Sequence, residues 1–191
     1  MSATTNFSEY ARRIKASDRE AFADLFRQLR EPLIRYVLHI VRDDMIAHDL
    51  IQDSFVSLWK LRESLDPGKS LKAYMYQIAR NRAMRHLRDE RTHESKHEII
   101  RQQSSKEIPV EEWPDASIES ASLQKKLKLW LASLPERQRE ALELSRYQGL
   151  SHKEIADVMD ISPRTVNTHI TLAIKNLQRN IQAAEPALFQ I

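Results

Sequence analysis

The sequence predicts an all-α protein made of two small helical domains joined by a flexible linker, the C-terminal one containing a helix-turn-helix. Three observations predict it. Only two glycines occur in 191 residues, whereas sheets and phosphate-cradling loops need glycine at their turns. Apolar residues recur at helical spacing through most of the chain. The stretch from Gly149 to Arg179 carries start and stop signals for a short helix followed by a longer one.

In that stretch almost every residue has a local job. Gly149 stops a preceding helix, and Ser151 with Glu154 makes a capping box for a short helix carrying Ile155, Ala156 and Met159. Asp160 and Ile161 form the turn. Ser162 caps the next helix, and Pro163 occupies its first position, where a missing N–H costs nothing. Val166, Ile170, Ala173, Ile174, Leu177 and Ile181 then form one apolar stripe, with Arg164, Thr168, Thr171, Lys175 and Arg179 on the opposite side. Cations there can reach phosphates or guanine edges, and short hydroxyl residues let a helix approach a major groove closely. An ordinary helical hairpin with a solvated outer face is the plainer reading; the short helix, tight turn and capped longer helix favour the helix-turn-helix.

Composition removes several classes of function. Without cysteine there is no disulfide and no thiolate zinc site. No GxGxxG or GK[ST] occurs, and no His-Glu-x-x-His. Ser57-Leu-Trp-Lys60 has the S-x-x-K form of serine acylases without their companion motifs. Asp44, His48, Asp49 and Asp53 lack the Glu-x-x-His pairs of a helical metal site. No enzyme, metal or cofactor is therefore expected, and no small-molecule substrate. The start lacks the order of a signal peptide and no apolar run reaches membrane-spanning length, so the expected location is cytoplasmic. The net charge of +3 is modest, but the charges are segregated along the chain.

Taken in order, residues 1–16 read as a loose tail, ending in a short helix around Tyr10 and Ile14. Ser17 and Glu20 read as a capping box ahead of Ala21, Phe22, Leu25, Phe26 and Leu29. Pro32 predicts either two helices or one kinked helix through Leu33, Ile34, Val37, Leu38 and Val41. Asp43 and Asp44 cap the next helix, whose Ala47, Leu50, Ile51, Phe55, Leu58 and Leu61 share one side. On its other side Asp49, Gln52, Asp53 and Lys60 surround an apolar Val56, with Trp59 at the flank. Such a face is ordinarily a solvated one.

Asp66-Pro-Gly68 is a turn, and Ser70 caps a long basic helix. From Lys69 to Arg91 seven cations stand against two acids. Met75, Tyr76, Ala79, Ala83 and Leu87 can face a core, while Tyr74, Gln77, Asn81, Arg85 and Arg88 line the opposing stripe. A tyrosine beside amides can stack on and read an unpaired base; a merely solvated basic helix fits this segment equally well. Arg82 falls off the stripe and has no role from the sequence. Residues 93–116 read as an acidic linker with Pro109 and Pro114. Ser117 opens a helix through Leu123, Leu127, Trp130 and Leu131, and a second runs from Pro135 to Tyr147. With the helix-turn-helix these complete a domain over 117–183, followed by a frayed tail at 184–191.

Four blocks together resemble the RNA polymerase sigma factors of the extracytoplasmic-function (ECF) type, within the sigma-70 family. They are Asp49-Leu-Ile-Gln-Asp-Ser-Phe-Val-Ser-Leu-Trp59, Leu71 through Arg88, Leu134-Pro-Glu-Arg-Gln-Arg-Glu140 and Gly149-Leu-Ser-His-Lys-Glu-Ile-Ala156. The resemblance spans about residues 17–182. It implies a region 2-like domain over 17–92 and a region 4-like domain over 117–183. It implies that Asp49, Gln52, Asp53, Val56 and Trp59 dock on the clamp coiled coil of the polymerase β′ subunit. Lys72, Tyr74, Gln77, Asn81, Arg85 and Arg88 would recognise and melt the -10 element, with the Leu65–Leu71 turn helping to hold a flipped base. Arg164, Thr165, Thr168, Thr171, Lys175 and Arg179 would contact the -35 element, their domain also resting on the β flap. The linker acids Glu107, Glu111, Glu112 and Asp115 would run through the polymerase's nucleic-acid channels as an RNA mimic, and an anti-sigma factor is an implied partner. Tyr74 departs from the family, which often has tryptophan there. Pro163–Ile170 is also similar to the output domain of response regulators, which would make the chain a self-sufficient DNA-binding regulator; such proteins need a receiver domain of alternating strands.

Overall fold

A computed structural model describes residues 7–97, 126 and 129–184 of the chain, and every regular element among them is helical. The chain divides into two compact units, Met1–Pro109 and Val110–Ile191. The linker acids, the opening of the helix expected from Ser117 with Leu123 and Leu127, and the tail beyond 184 lie outside the described residues.

The N-terminal unit contains α1 (Phe7–Lys15), α2 (Arg19–Val41), α3 (Asp44–Lys60), a 3-10 turn (Arg62–Ser64) and α4 (Leu71–His97). Helices α2, α3 and α4 pack on one another around Leu25, Leu33, Val37, Ile51, Leu58, Met75 and Tyr76, all close to fully buried. Burying one such side chain contributes about 1.5–3 kcal/mol. Edge-on ring contacts extend this core: Phe26 lies 4.8 Å from Phe55, Phe22 lies 5.0 Å from Trp59, and Tyr36 lies 5.2 Å from Tyr76. Enclosure of Tyr76 pushes its phenol well above the ordinary tyrosine range.

Three expectations change and a fourth narrows. Residues 7–15 are not part of a loose tail: α1 buries Ala11 and Ile14 completely against α2 and α4. The short helix expected around Tyr10 and Ile14 is there; its packing is what two apolar residues three apart could not announce. Its Lys15 Nζ donates to the Leu65 carbonyl at 2.8 Å, so α1 also holds the loop that precedes α4. Ser17 is not the cap of α2; it takes φ +65° as the chain leaves α1, and Asp18 becomes the N-cap. Asp18 accepts from the amides of Glu20 and Ala21 and pairs with Arg13 at 2.7 Å. At Pro32 the single helix, one of the two alternatives, is what forms: although the ring leaves one backbone carbonyl without its helical donor, α2 continues through it with Leu29, Leu33 and Val37 all buried. Their packing outweighs the roughly 3 kcal/mol that an interior proline costs. Leu61 follows the last turn of α3 and stays about half exposed, outside the buried stripe.

In the C-terminal unit, residues 129–132 are helical and are followed by α5 (Glu136–Arg146), α6 (His152–Met159) and α7 (Pro163–Ala184). Gly149 adopts φ +63° in the loop after α5, and Ser151 and Glu154 form the reciprocal capping box. Asp160, at φ 54°, ends α6, and the Ser162 hydroxyl accepts from the Thr165 amide at 3.1 Å to start α7. Leu144, Ile155, Val158, Met159, Val166 and Ala173 form the core. Two amides tie α7 back: Asn176 donates to Gln138 and Asn180 to the Ser133 hydroxyl, both at 2.9 Å.

Two predictions follow from the caps. Ser151→Ala removes the hydroxyl half of the capping box, leaving the bond from the backbone amide of residue 151 to Glu154, and is expected to destabilise the C-terminal unit by about 1 kcal/mol, read as a lower denaturant midpoint by circular dichroism. The Asp18 carboxyl is held below its usual range by the Ala21 amide and by Arg13. A depressed folded-state value means that its stabilisation is complete above the ordinary aspartate range and is lost as pH falls through the folded value. The midpoint difference between wild type and Asp18→Ala is therefore expected to be largest near neutrality and to narrow on acidification below that range; a pH-independent difference would contradict it.

Candidate nucleic-acid interface

Three solvent-facing surfaces carry the candidate residues. The first lies on α3. Burial of Ala47, Ile51, Ser54, Phe55 and Leu58 turns Asp49, Gln52, Asp53, Val56 and Lys60 outward, all of them exposed. Val56 is 43% exposed, and the sequence reading missed a second apolar residue on this face: Met45, at 78%. The same angular count finds it, four residues before Asp49. Trp59 is placed differently from the rest. It is half-buried, with its ring against Phe22 and the Arg62 guanidinium 4.8 Å over it, so the indole mainly closes the core.

The second surface belongs to α4. Leu71, Ala73, Met75, Tyr76, Ala79, Arg80 and Ala83 are buried, and the opposite side carries the expected stripe. Asn81, Arg85 and Arg88 are exposed, whereas Tyr74 and Gln77 are half-buried. Being half-buried, Tyr74 has less side-chain freedom to lose on stacking than an exposed tyrosine would. Lys72 is half-buried with its ammonium 5.8 Å from the Phe7 ring centroid, a contact to α1 that the sequence did not announce. Arg80 counts in the basic block but is only 6% exposed, so its charge is not displayed.

Arg82, without a role from sequence, joins the first two surfaces. Its Nη2 donates to the Ser57 Oγ at 2.5 Å and its Nη1 lies 3.4 Å from Asp53 Oδ2. No local pattern signals this, because the partners are on another helix. Ahead of α4 the loop is pinned by several bonds. The Gly68 amide donates to Asp66 Oδ1 at 2.9 Å, Ala73 N to Ser70 Oγ at 3.2 Å, and Arg62 Nε to Ser17 Oγ at 2.8 Å.

The third surface is the outer side of α7. Val166, Ile170 and Ala173 are buried, leaving Arg164, Thr168, Thr171, Lys175 and Arg179 exposed together. Thr165 is half-buried and its hydroxyl is engaged with Ser162 Oγ at 2.8 Å, so it serves the cap. Thr168 Oγ1 bonds back to the Arg164 carbonyl at 3.1 Å and keeps acceptor capacity outward. Asn167 and Gln178 are exposed on the same side and were overlooked; Asn167 lies three residues after Arg164, a spacing the sequence already offered. This is the arrangement of a helix able to lie in a major groove with its N-terminal residues at the base edges.

Both units have counterparts among known proteins. The family model for Sigma-70 region 2 matches residues 25–93, and that for Sigma-70 region 4 matches residues 125–177. The RNA polymerase sigma factor SigZ of Bacillus subtilis is 33% identical over 139 residues, covering 73% of this chain and 74% of that protein. CarQ of Myxococcus xanthus, another RNA polymerase sigma factor, is 30% identical over 79% of this chain and 83% of its own. The ECF RNA polymerase sigma factor SigK of Mycobacterium sp. (strain KMS) is 26% identical over 92% and 90%. Among solved structures, the fold is shared with RpoE of Bartonella quintana, crystallised with the anti-sigma factor NepR, at a TM-score of 0.68, 21% identity and coverage of 84% and 96%. It is shared also with CnrH in complex with the cytosolic domain of CnrY, at a TM-score of 0.63, 20% identity and coverage of 94% and 99%. Matched by a family model in each of its two units, in order, the chain belongs to the ECF group of the sigma-70 family of RNA polymerase sigma factors.

Proposed function

We propose that this sigma factor docks on core polymerase through α3, reads and opens the -10 element through α4, and reads the -35 element through α7. The observation that carries the reading is the exposed stripe of Asn81, Arg85 and Arg88, flanked by Tyr74 and Gln77, on a helix whose other side is buried. Arg85 and Arg88 neutralise phosphates. Tyr74 stacks on an unpaired base, a contact typically worth about 1–3 kcal/mol, and Asn81 offers a donor and an acceptor to a base edge. Favouring the unpaired strand over the duplex shifts the local equilibrium toward the open form, with no covalent bond made or broken.

On α3, Met45 and Val56 supply apolar area, and Asp49 and Asp53 supply charge that suits a basic coiled coil such as the β′ clamp. In the C-terminal unit, Arg164, Lys175 and Arg179 contact -35 phosphates or guanines while Asn167, Thr168 and Thr171 lie close to base edges; this unit also rests on the β flap. The α7 surface is sparse in cations, so specific binding arises when core polymerase presents both DNA surfaces at once. The working location is the cytoplasm, and none of the described helices is long and apolar enough to cross a membrane. An anti-sigma partner is part of the proposal, in keeping with the partners named for the two fold relatives. A self-sufficient regulator of the response-regulator type is disfavoured by the strand-free residues 7–97, where a receiver domain would need alternating strands.

In vitro transcription tests this directly: the chain is expected to bind promoter fragments weakly alone and to direct specific initiation once core polymerase is added. Tight operator binding without core would overturn it. Asn81→Ala is expected to slow opening, read by permanganate reactivity of unpaired thymines, by about tenfold (about 1.4 kcal/mol) with core affinity nearly unchanged; equal loss of both would remove Asn81 from the opening surface. Arg164→Ala with Lys175→Ala is expected to weaken -35-dependent initiation and to flatten its salt dependence by up to two phosphate contacts. Unaltered promoter use in that double variant would argue against DNA contact by α7.

A further inference from the structure

Arg82 lies between the two working faces of the N-terminal unit. Its guanidinium is one planar fork with its two terminal nitrogens directed at Ser57 Oγ, 2.5 Å away, and Asp53 Oδ2, 3.4 Å away. Ser57 and Asp53 are four residues apart on α3, one turn along the helix. A single side chain of α4 therefore spans a full turn of α3, a two-point contact that depends on both the rotation and the axial register of α4 against it. Lysine lacks this fork: its three donors share one nitrogen on a flexible stem, so it cannot set two separate nitrogens on two partners at a fixed spacing.

The pair is too exposed to matter much for folding. Arg82 is 32% exposed and Asp53 66%, and ion pairs in that regime contribute little net stability. Geometry is where it acts. Arg82 follows Asn81, the exposed amide of the α4 stripe, and sites that read a ligand by hydrogen bonds must be held within about 0.5 Å and 10–20°. Asp53 in turn is exposed on the α3 face to which the docking role is assigned.

We propose that Arg82 is a positioning residue for promoter opening: by gripping Asp53 and Ser57 it transmits the docked pose of α3 to the DNA-facing stripe of α4. The inference rests on the sigma-factor reading above. It adds that docking and opening are coupled through one side chain that touches neither nucleic acid nor polymerase.

The test uses the full chain with core RNA polymerase and a promoter recovered from a random-sequence library by transcription with wild type. Arg82→Ala is expected to keep core affinity within about threefold while the opening rate falls about tenfold, equivalent to about 1.4 kcal/mol. Ser57→Ala and Arg82→Lys should each show a smaller loss of opening with unchanged core binding. Combining Arg82→Ala with Asn81→Ala should cost little more than Asn81→Ala alone, because the arginine acts through the stripe; a purely structural role gives additive losses and a lower thermal midpoint. Opening at the wild-type rate in Arg82→Ala overturns the inference, as does a parallel loss of core binding and opening. Should Arg82→Ala fail to fold, wild-type opening by both Ser57→Ala and Arg82→Lys overturns it equally. If wild type itself initiates nowhere with core polymerase, the sigma-factor reading fails first.

Discussion

The burial of α4 against α2 and α3 is the constraint on which the N-terminal unit depends. Ala79 and Ala83 are small enough to let helices approach, while Met75 and Tyr76 fill the space beside them. A helix so deeply committed on one side has only the other to offer. The Tyr74 to Arg88 stripe is thus displayed because the core holds its reverse, and it needs no loop to present it. Rigid elements of this kind hold polar groups more accurately than mobile segments do.

The same logic runs through α3, with a difference. Its buried side is closed by Phe55 and Leu58 and sealed at the end by Trp59, whose ring sits on Phe22 beneath the Arg62 guanidinium. A tryptophan at the edge of an acidic face invites a docking role, yet most of its area is already used inside. Met45 and Val56 are the apolar residues left to solvent on that face. Their placement beside Asp49 and Gln52 gives the docking proposal a hydrophobic centre with a polar rim, the anatomy of protein interfaces generally.

In the C-terminal unit the decisive features are local. The capping box of Ser151 and Glu154, the left-handed Asp160 and the Ser162 cap fix where α6 ends and α7 begins. The buried Ile155, Met159, Val166 and Ala173 then set which side of α7 faces outward. Asn176 and Asn180, bonded to Gln138 and Ser133, hold the second half of α7 to the residues before it.

The amino-acid sequence by itself determined the all-helical class, the helix-turn-helix with its caps, and the opposed faces of α4 and α7. Each depends on residues within a few positions of one another, where spacing translates into angle. Only the tertiary structure decided that α1 is packed and not a tail, that Pro32 is absorbed into one helix, and that Trp59 and Arg80 turn inward. It alone gave Arg82 partners, at Asp53 and Ser57, 29 and 25 residues away. Helical periodicity reports which residues share a face; which neighbour meets that face depends on the packing of distant segments, and no local pattern carries that information.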